Sequence, residues 1–583
     1  MAERQALIST DSTTSISRGG GQRQYGGTGR SRRGLNRMTT QEIKIKIRKM
    51  ADLVSSEELG NREFTDLSLY EKKSLLINRE LDEMGMGKYQ WCVFTLCGLG
   101  YFLDLGWAQA FGLVGSAIQQ ELGVPDSQIG ALSTAFNFGL CIGAFGWGML
   151  VDIVGRRWCF NFTCLFSTIF GLCFALPSNY VLTCILACLI GLGVGGNIPV
   201  DATITLEFLP TKNRYLLAAL STFQPIGTVA VSLLAFALIP KYSCDTSLKS
   251  CNISEAPCCS RSNNMGWRYT IMILGFFTLL IFFLRFAVFK FRESPKYLLS
   301  KGHDAHALDI LHSISKFNKT KSPTLTIEDF RALDYEEARR TGQDDPHSRS
   351  TTQNSTLQRS TSTADIAKRV TLGGLQKTFG HLAGMFKQKI YLWLFISLSI
   401  AYMALFWSFA LAGYFLPLIL KAKGIDADGS LADTYRSYLY IYTPGITATL
   451  TAAWITGFSK FGRRWIMVIS SALMGASLAL YQLVDSRAAN IGFNAMEYWF
   501  QSIYAALLYA YTPEAFPATF RGSTSGMLST LGRIASIIAP IVGGSVYHGS
   551  DSPGVLWLAA GGAWISTLAI AFLPYDTNRK ENA

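Results

Sequence analysis

Four charged residues, Asp104, Asp201, Arg285 and Arg533, stand inside apolar stretches long enough to cross a lipid bilayer. A charge at mid-bilayer costs roughly 2.5–3.5 kcal/mol on insertion scales, so each is a candidate for chemistry. Asp104 falls near the middle of its stretch. A carboxylate there suits reversible protonation, or else a structural bond to another helix. Asp201 and Asn197 are four apart and share a helix face. Arg533 needs an anion, either an Asp or Glu or a charged group on a bound molecule. Arg285 lies near the end of its stretch and is expected to snorkel toward water. Gln109 and Gln224, the latter followed by Pro225, can offer hydrogen bonds to a polar ligand. Tyr414, Trp407 and Tyr442 are placed either to line its path or to pack. Gly191, Gly193, Gly195 and Gly196 allow close helix contact.

The elements that must position these groups are long apolar helices. Charged residues are 16% of the chain, against roughly 25% in soluble proteins. Stretches able to span about 30 Å of hydrocarbon are expected at 91–118, 128–150, 157–177, 180–208, 215–240 and 267–290. A second group follows at 389–420, 436–458, 464–484, 491–513, 522–547 and 554–574. The expected fold class is an all-α membrane protein of twelve transmembrane helices in two six-helix bundles. The chain divides into a tail at 1–90, a bundle at 91–290, a linker at 291–388, a bundle at 389–575 and a short tail at 576–583.

Residues 1–66 are polar and low in complexity, and are expected to be mostly disordered. Their basic runs are Arg30-Ser-Arg-Arg33 and the alternation Lys44, Lys46, Arg48, Lys49. These read as a solvated tail or as a contact for anionic lipid. A short helix is expected over 67–86. In the linker, helices are expected from His306 to Lys316 and from Ile327 to Arg340. The Ser/Thr-rich run Ser348–Ser362 is open to phosphorylation. The net charge of +13 sits in tails and loops, which argues against nucleic acid and for a cytoplasmic basic face.

Basic joints at Arg156-Arg157, Lys212/Arg214, Lys460/Arg463/Arg464 and Arg521 predict cytoplasmic termini, while Glu121 and Asp126 mark the opposite side. On that opposite side the loop 241–266 carries Cys244, Cys251, Cys258 and Cys259, with the glycosylation sequon Asn252-Ile-Ser254. Four cysteines in so short a loop predict two disulfides. Three pairings are open, and a Cys258–Cys259 bridge is the most strained. No His lies nearby to favour zinc.

One spacing links the two groups of spans. Gly155-Arg156-Arg157-Trp158 recurs 307 residues later as Gly462-Arg463-Arg464-Trp465. Glu207 recurs as Glu514, and Arg214 as Arg521. Two equivalent bundles can rock against each other. The repeated cations and acids predict ion pairs at neighbouring helix ends that close one face and break as it opens. Partly exposed pairs of about 0–1 kcal/mol would suit such a switch; the alternative is that the charges only set topology.

The run Gly148-Met-Leu-Val-Asp152-Ile-Val-Gly155-Arg156-Arg157 resembles the signature loop of the major facilitator superfamily, and the resemblance extends over both halves. Glu293-Ser-Pro-Lys296 is similar to a sugar-porter signature. Tyr511-Thr-Pro-Glu514-Ala-Phe-Pro517 with Arg521-Gly522 is similar to the sugar-porter, organic-ion and synaptic-vesicle branches. Gly100-Tyr-Phe-Leu-Asp104 and Gly195-Gly-Asn-Ile-Pro-Val-Asp201 most resemble a fungal branch near the synaptic-vesicle-type transporters. Two departures weaken a proton-coupling Arg–Asp pair: Ser459 stands where the second signature loop carries an acid, and Ala187 where many members carry an arginine.

The resemblance implies a secondary transporter working by alternating access in the plasma or a vacuolar membrane, with the plasma membrane preferred. Asp104 would couple it to protons. A sugar-like solute is the first choice and an organic ion, with Arg533 or Asp104 as counter-charge, the second. Phosphate is third, with Asn197 where phosphate symporters carry an acid. A membrane sensor without flux is the rival class. No Gly-rich Lys-Ser/Thr loop for ATP occurs. No catalytic constellation, cofactor or metal site is expected. The partners are a small solute, protons and the bilayer, with the oligomeric state left open.

Overall fold

The computed structural model describes residues 40–52, 64–125, 128, 130–245, 248–253, 257–288, 291–340, 384–422, 431–458, 462–484, 486–546, 553–574 and 576. Arg30–Arg33, Asp126, Ser254, Ser348–Ser362, Ser459 and Lys460 lie outside them. Among the described residues the architecture is helical, with one isolated bridge between Ser250 and Cys259.

The first half comprises α3 (Lys88–Leu122), α4 (Gly130–Ile153), α5 (Arg156–Cys173), α6 (Tyr180–Val194), α7 (Asn197–Phe208), α8 (Leu216–Leu220), α9 (Phe223–Tyr242) and α10 (Gly266–Phe283). Before it stand α1 (Thr40–Asp52) and α2 (Leu69–Met84), and after it α11 (Pro295–Ser300), α12 (Asp304–Asn318) and α13 (Ile327–Arg340). The second half comprises α14 (Lys389–Ala422), α15 (Leu431–Tyr442), α16 (Pro444–Phe458), α17 (Arg463–Leu480), α18 (Arg487–Ala515), α19 (Arg521–Val546) and α20 (Pro553–Ala571). Nine helical segments among the described residues are long and apolar enough to cross a membrane, with α6–α7 and α8–α9 each counted as one. The other three expected spans fall on α5, on α15–α16 and on α18. Prolines account for two of the interruptions: Pro225 and Pro444 lack the N–H that would continue the preceding turn.

The packing repeats between the halves. In the first, α3 packs on α9, α4 on α6, and α5 on both α6 and α10. In the second, α14 packs on α19, α16 on α18, and α17 on both α18 and α20. The contacts across the halves repeat as well, with α4 against α19 and α15 against α9. At the first of these crossings the backbones nearly touch. A Cβ on Gly148 would lie 2.7 Å from the Gly526 Cα and 2.9 Å from the Gly522 carbonyl oxygen.

A collar of short helices covers one end of the first half, here called the linker face; the disulfides mark the other. Within residues 1–66, α1 differs from the expected solvated tail. Ile43, Ile47 and Met50 recur at helical spacing and are buried, while Lys46 pairs with Asp329 of α13 at 2.9 Å. Burial pushes the Asp329 carboxyl up, but hydrogen bonds from Lys46 and Thr326 outweigh it, and the group sits below the usual range. The α2 helix starts on a capping box between Ser68 and Glu71. Lys73 in α2 reaches Asp304 and Asp334 at 2.5 and 2.6 Å. Glu80 receives the Thr324 hydroxyl at 2.6 Å and the Leu325 N–H at 3.0 Å.

Candidate functional site

Two ion pairs lie inside the helical shell. Asp201 on α7 receives a guanidinium nitrogen of Arg285 at 2.9 Å, and both side chains are fully buried. The same arginine donates to the carbonyls of Phe160 at 3.0 Å and Leu96 at 2.8 Å, and its plane lies 3.9 Å from the Phe160 ring centroid. The expectation that Arg285 snorkels is therefore corrected. A guanidinium has several donors, and here both terminal nitrogens find protein acceptors, one carbonyl for Nη1 and a carbonyl with a carboxylate for Nη2, which holds the charge inside the shell. Gly100 makes the approach possible, because a Cβ there would collide with Asp201 and Arg285.

The second pair joins the two halves. Asp104 on α3 and Arg533 on α19 are 3.3 Å apart, both nearly buried. Ser529 accepts from Arg533 Nε at 3.3 Å, and Gln224 hydrogen-bonds Asp104. The anion that Arg533 required is thus Asp104. Asn197 donates to the Gly100 carbonyl at 3.3 Å. Gln109 donates to Ser232 at 3.3 Å and also meets Tyr442. Trp407 donates to the Leu558 carbonyl within its own half, and Tyr414 is exposed.

At the linker face the repeated motif forms two matching clusters. Arg156 donates to Glu207 at 2.8 and 3.1 Å and approaches Asp152 at 3.3 Å. Arg463 pairs with Glu514 in the second half. The expectation of partly exposed pairs is corrected, since Arg156, Glu207 and Arg463 are at most 2% exposed. Both ion pairs also lie within one half rather than between halves. Other bonds make the crossing. Asp152 receives the Ser523 N–H and hydroxyl, Arg156 donates to the Ala518 carbonyl at 3.1 Å, and Arg463 donates to the Arg214 carbonyl at 3.4 Å. Arg521 donates to the Phe516 carbonyl at 3.2 Å.

Each motif also starts a helix whose free N–H groups need acceptors. Glu293 receives the backbone N–H of Arg156 at 2.9 Å and of Arg157 at 3.3 Å, while the Arg157 side chain is exposed. Asp576 does the same for Arg463 and Arg464, both at 3.2 Å. Gly155 has φ +119°, a region that favours glycine, and a Cβ there would lie 2.5 Å from Glu293. Gly462 has ordinary φ, yet a Cβ there would collide with Asp576. The glycine of the repeat therefore makes room for a capping carboxylate.

At the opposite end, Cys244 bonds Cys259 and Cys251 bonds Cys258, which selects one of the three open pairings. Glu121 is buried against Arg268 through bonds of 2.6 and 2.7 Å. Asn252 is exposed and donates to the Leu122 carbonyl at 3.2 Å. Tyr435 donates to the Leu113 carbonyl at 2.8 Å and ties the halves on this side.

Several residues escaped the reading of the sequence. Asp576 stands 113 residues after Arg463, whereas Glu293 stands 137 after Arg156, so a search at fixed spacing passes over it. Ser523 carries no charge to attract notice. Glu497, an acid inside an expected span, was open to the same argument that singled out Asp104.

Two bundles related by a pseudo-twofold, with buried charges in and between them, define a membrane transport protein rather than an enzyme. The chain belongs to the Major Facilitator Superfamily, whose model matches residues 94–459 and 398–583. It is 33% identical over 512 residues to the "MFS siderochrome iron transporter 1" of Ceriporiopsis subvermispora, covering 87% of this chain and 91% of that one. It is 25% identical to the "Organic cation/carnitine transporter 7" of Arabidopsis thaliana, covering 87% and 95%. A solved structure of the proton:xylose symporter XylE bound to 6-bromo-6-deoxy-D-glucose aligns with a TM-score of 0.61 and 16% identity, covering 84% of this chain and 96% of that one. The chain is thus an integral multi-pass membrane protein with the major facilitator fold.

Proposed function

We propose that the protein moves a small polar solute by alternating access, coupled to protons through Asp104 and Arg533. The carrying observation is that this buried pair bridges the two halves at 3.3 Å. Protonating Asp104 removes the attraction and lets α3 and α19 separate, so a proton and the rocking motion act on one bond. The membrane is the plasma membrane, with both termini and the linker face cytoplasmic and with Asn252 glycosylated outside; the basic joints support that orientation. The inter-half bonds at Asp152, Arg156 and Arg463 act as the cytoplasmic gate.

The motifs behind the sugar-like first choice serve helix ends. Glu293 caps α5, and Glu514 pairs with Arg463. They support the transporter class more than any one solute. The organic-ion alternative loses Asp104 and Arg533 as free counter-charges, because each neutralises the other. Phosphate has less support still, since Arg285 also holds its own carboxylate.

Uptake of radiolabelled solutes into proteoliposomes under an imposed pH gradient tests the reading. Flux that rises with an inward proton gradient is expected. Ligand binding without flux in any direction would favour a sensor.

A further inference from the structure

Glu497 on α18 is 7% exposed, and its Oε1 is buried with no hydrogen-bond partner. One turn later Gln501 is 8% exposed, and its Oε1 is equally unpartnered. A separation of four puts both oxygens on one helix face. Unpaired buried acceptors are rare in native proteins, and a charged one is the costliest kind. No cation among the described residues answers Glu497. The buried arginines are engaged elsewhere: Arg156 by Glu207, Arg268 by Glu121, Arg285 by Asp201, Arg463 by Glu514 and Arg533 by Asp104.

The surroundings suit a cation. Tyr498, the next residue, has its ring centroid 4.9 Å from that of Tyr442, which stacks on Tyr438 at 6.0 Å. Ring faces attract cations. The cluster also lies where the halves meet. Tyr498 hydrogen-bonds Thr228 and Tyr442 hydrogen-bonds Gln109, both on the first half. A group bound there would touch both moving bodies.

We propose that Glu497 and Gln501 form an ammonium subsite and that the transported solute is an organic amine carrying a positive charge at neutral pH. The carboxylate supplies the counter-charge, the amide oxygen a second acceptor, and the tyrosines the walls. The proposal rests on the transport reading, and replaces the sugar-like class within it.

The test uses the full chain in lipid nanodiscs, with benzylamine as probe and benzyl alcohol as its uncharged counterpart. Calorimetric titration at pH 7 is expected to detect benzylamine binding and at least tenfold weaker benzyl alcohol binding. Glu497→Gln should weaken benzylamine binding at least tenfold, and Gln501→Leu by a smaller factor. Equal binding of amine and alcohol by the unmodified protein overturns the proposal, and this comparison needs no variant to fold. Unchanged benzylamine affinity in a folded Glu497→Gln protein also overturns it. Proteoliposome uptake separates the two readings. Amine binding that depends on Glu497 but gives no flux supports the subsite and refutes transport. Glucose flux without benzylamine binding supports transport and refutes the subsite.

Discussion

Asp152 Oδ2 accepts both the backbone N–H and the hydroxyl of Ser523 at 2.8 Å, from the opposite half of the molecule. Hydrogen bonds to charged groups contribute about 1.5–3 kcal/mol, and about 1.4 kcal/mol is tenfold in a population. Asp152→Ala should therefore shift the protein toward forms open at the linker face by tenfold or more. Alkylation of a cysteine placed at Ala518, which is buried when the faces meet, should accelerate to match. An unchanged rate would show that the bond does not hold the gate.

Asp104→Asn leaves the shape of the Asp104–Arg533 contact nearly intact but removes the titrating group. Uptake should lose its dependence on external pH. Arg533→Ala leaves a buried carboxylate unpaired, a change that costs about 3–5 kcal/mol in comparable buried pairs; a loss of transport with a lowered melting temperature is expected. Full pH-dependent uptake by the Asp104→Asn protein would exclude proton coupling through this residue.

Lys296, on the linker face, is pushed down from 10.5 to about 7 by burial and by the nearby cations Arg521 and Arg214. The unfolded chain holds this proton up to about pH 10.5, whereas the folded one releases it near pH 7. Folding is thus disfavoured below pH 7, and stability rises between pH 7 and the unfolded value. Lys296→Met should raise the melting temperature at pH 6 and flatten its rise toward pH 9. A parent and variant with parallel melting curves across that range would rule this out.

The Cys244–Cys259 bond closes a separation of 15 residues, worth about 3 kcal/mol in the chain-entropy model. Non-reducing peptide mapping should recover this bridge and Cys251–Cys258. Cys244→Ser should lower thermal stability more than Cys251→Ser, whose bridge closes only 7 residues. The reverse order would point to strain rather than loop closure.

Gly148→Val should block the close crossing of α4 on α19, because even a Cβ is too near the Gly526 backbone. The variant is expected to accumulate with its linker face open and to lose transport while remaining folded. Spin-label distances across that face provide the readout.

Much of this was legible in the sequence because membrane helices write themselves in long apolar runs and because duplication preserved a fixed spacing. Asp104, Asp201 and Arg533 stood out by being charged where charge is costly. Their partners were harder to read. Which acid meets Arg533 depends on how α3 faces α19, a relation set by tertiary packing alone. The snorkelling expected of Arg285 failed for the same reason, since Asp201 is 84 residues away in the chain. Glu207 and Arg156 were read as neighbours, yet the crossing bonds use Ser523 and main-chain carbonyls, groups that composition does not flag. Of the collar helices, α2, α12 and α13 were legible in the sequence, whereas α1 was not, because its lysines masked the buried Ile43 and Ile47, and neither was α11, whose six residues are too few to show a helical repeat.

The cap that Asp576 provides to α17 has a practical consequence. A shortened version ending at 574 would keep every apolar helix yet strip the acceptor from the N–H groups of Arg463 and Arg464. Affinity tags and fluorescent fusions are therefore best joined downstream of Asp576, with spacer enough to leave its carboxylate undisturbed.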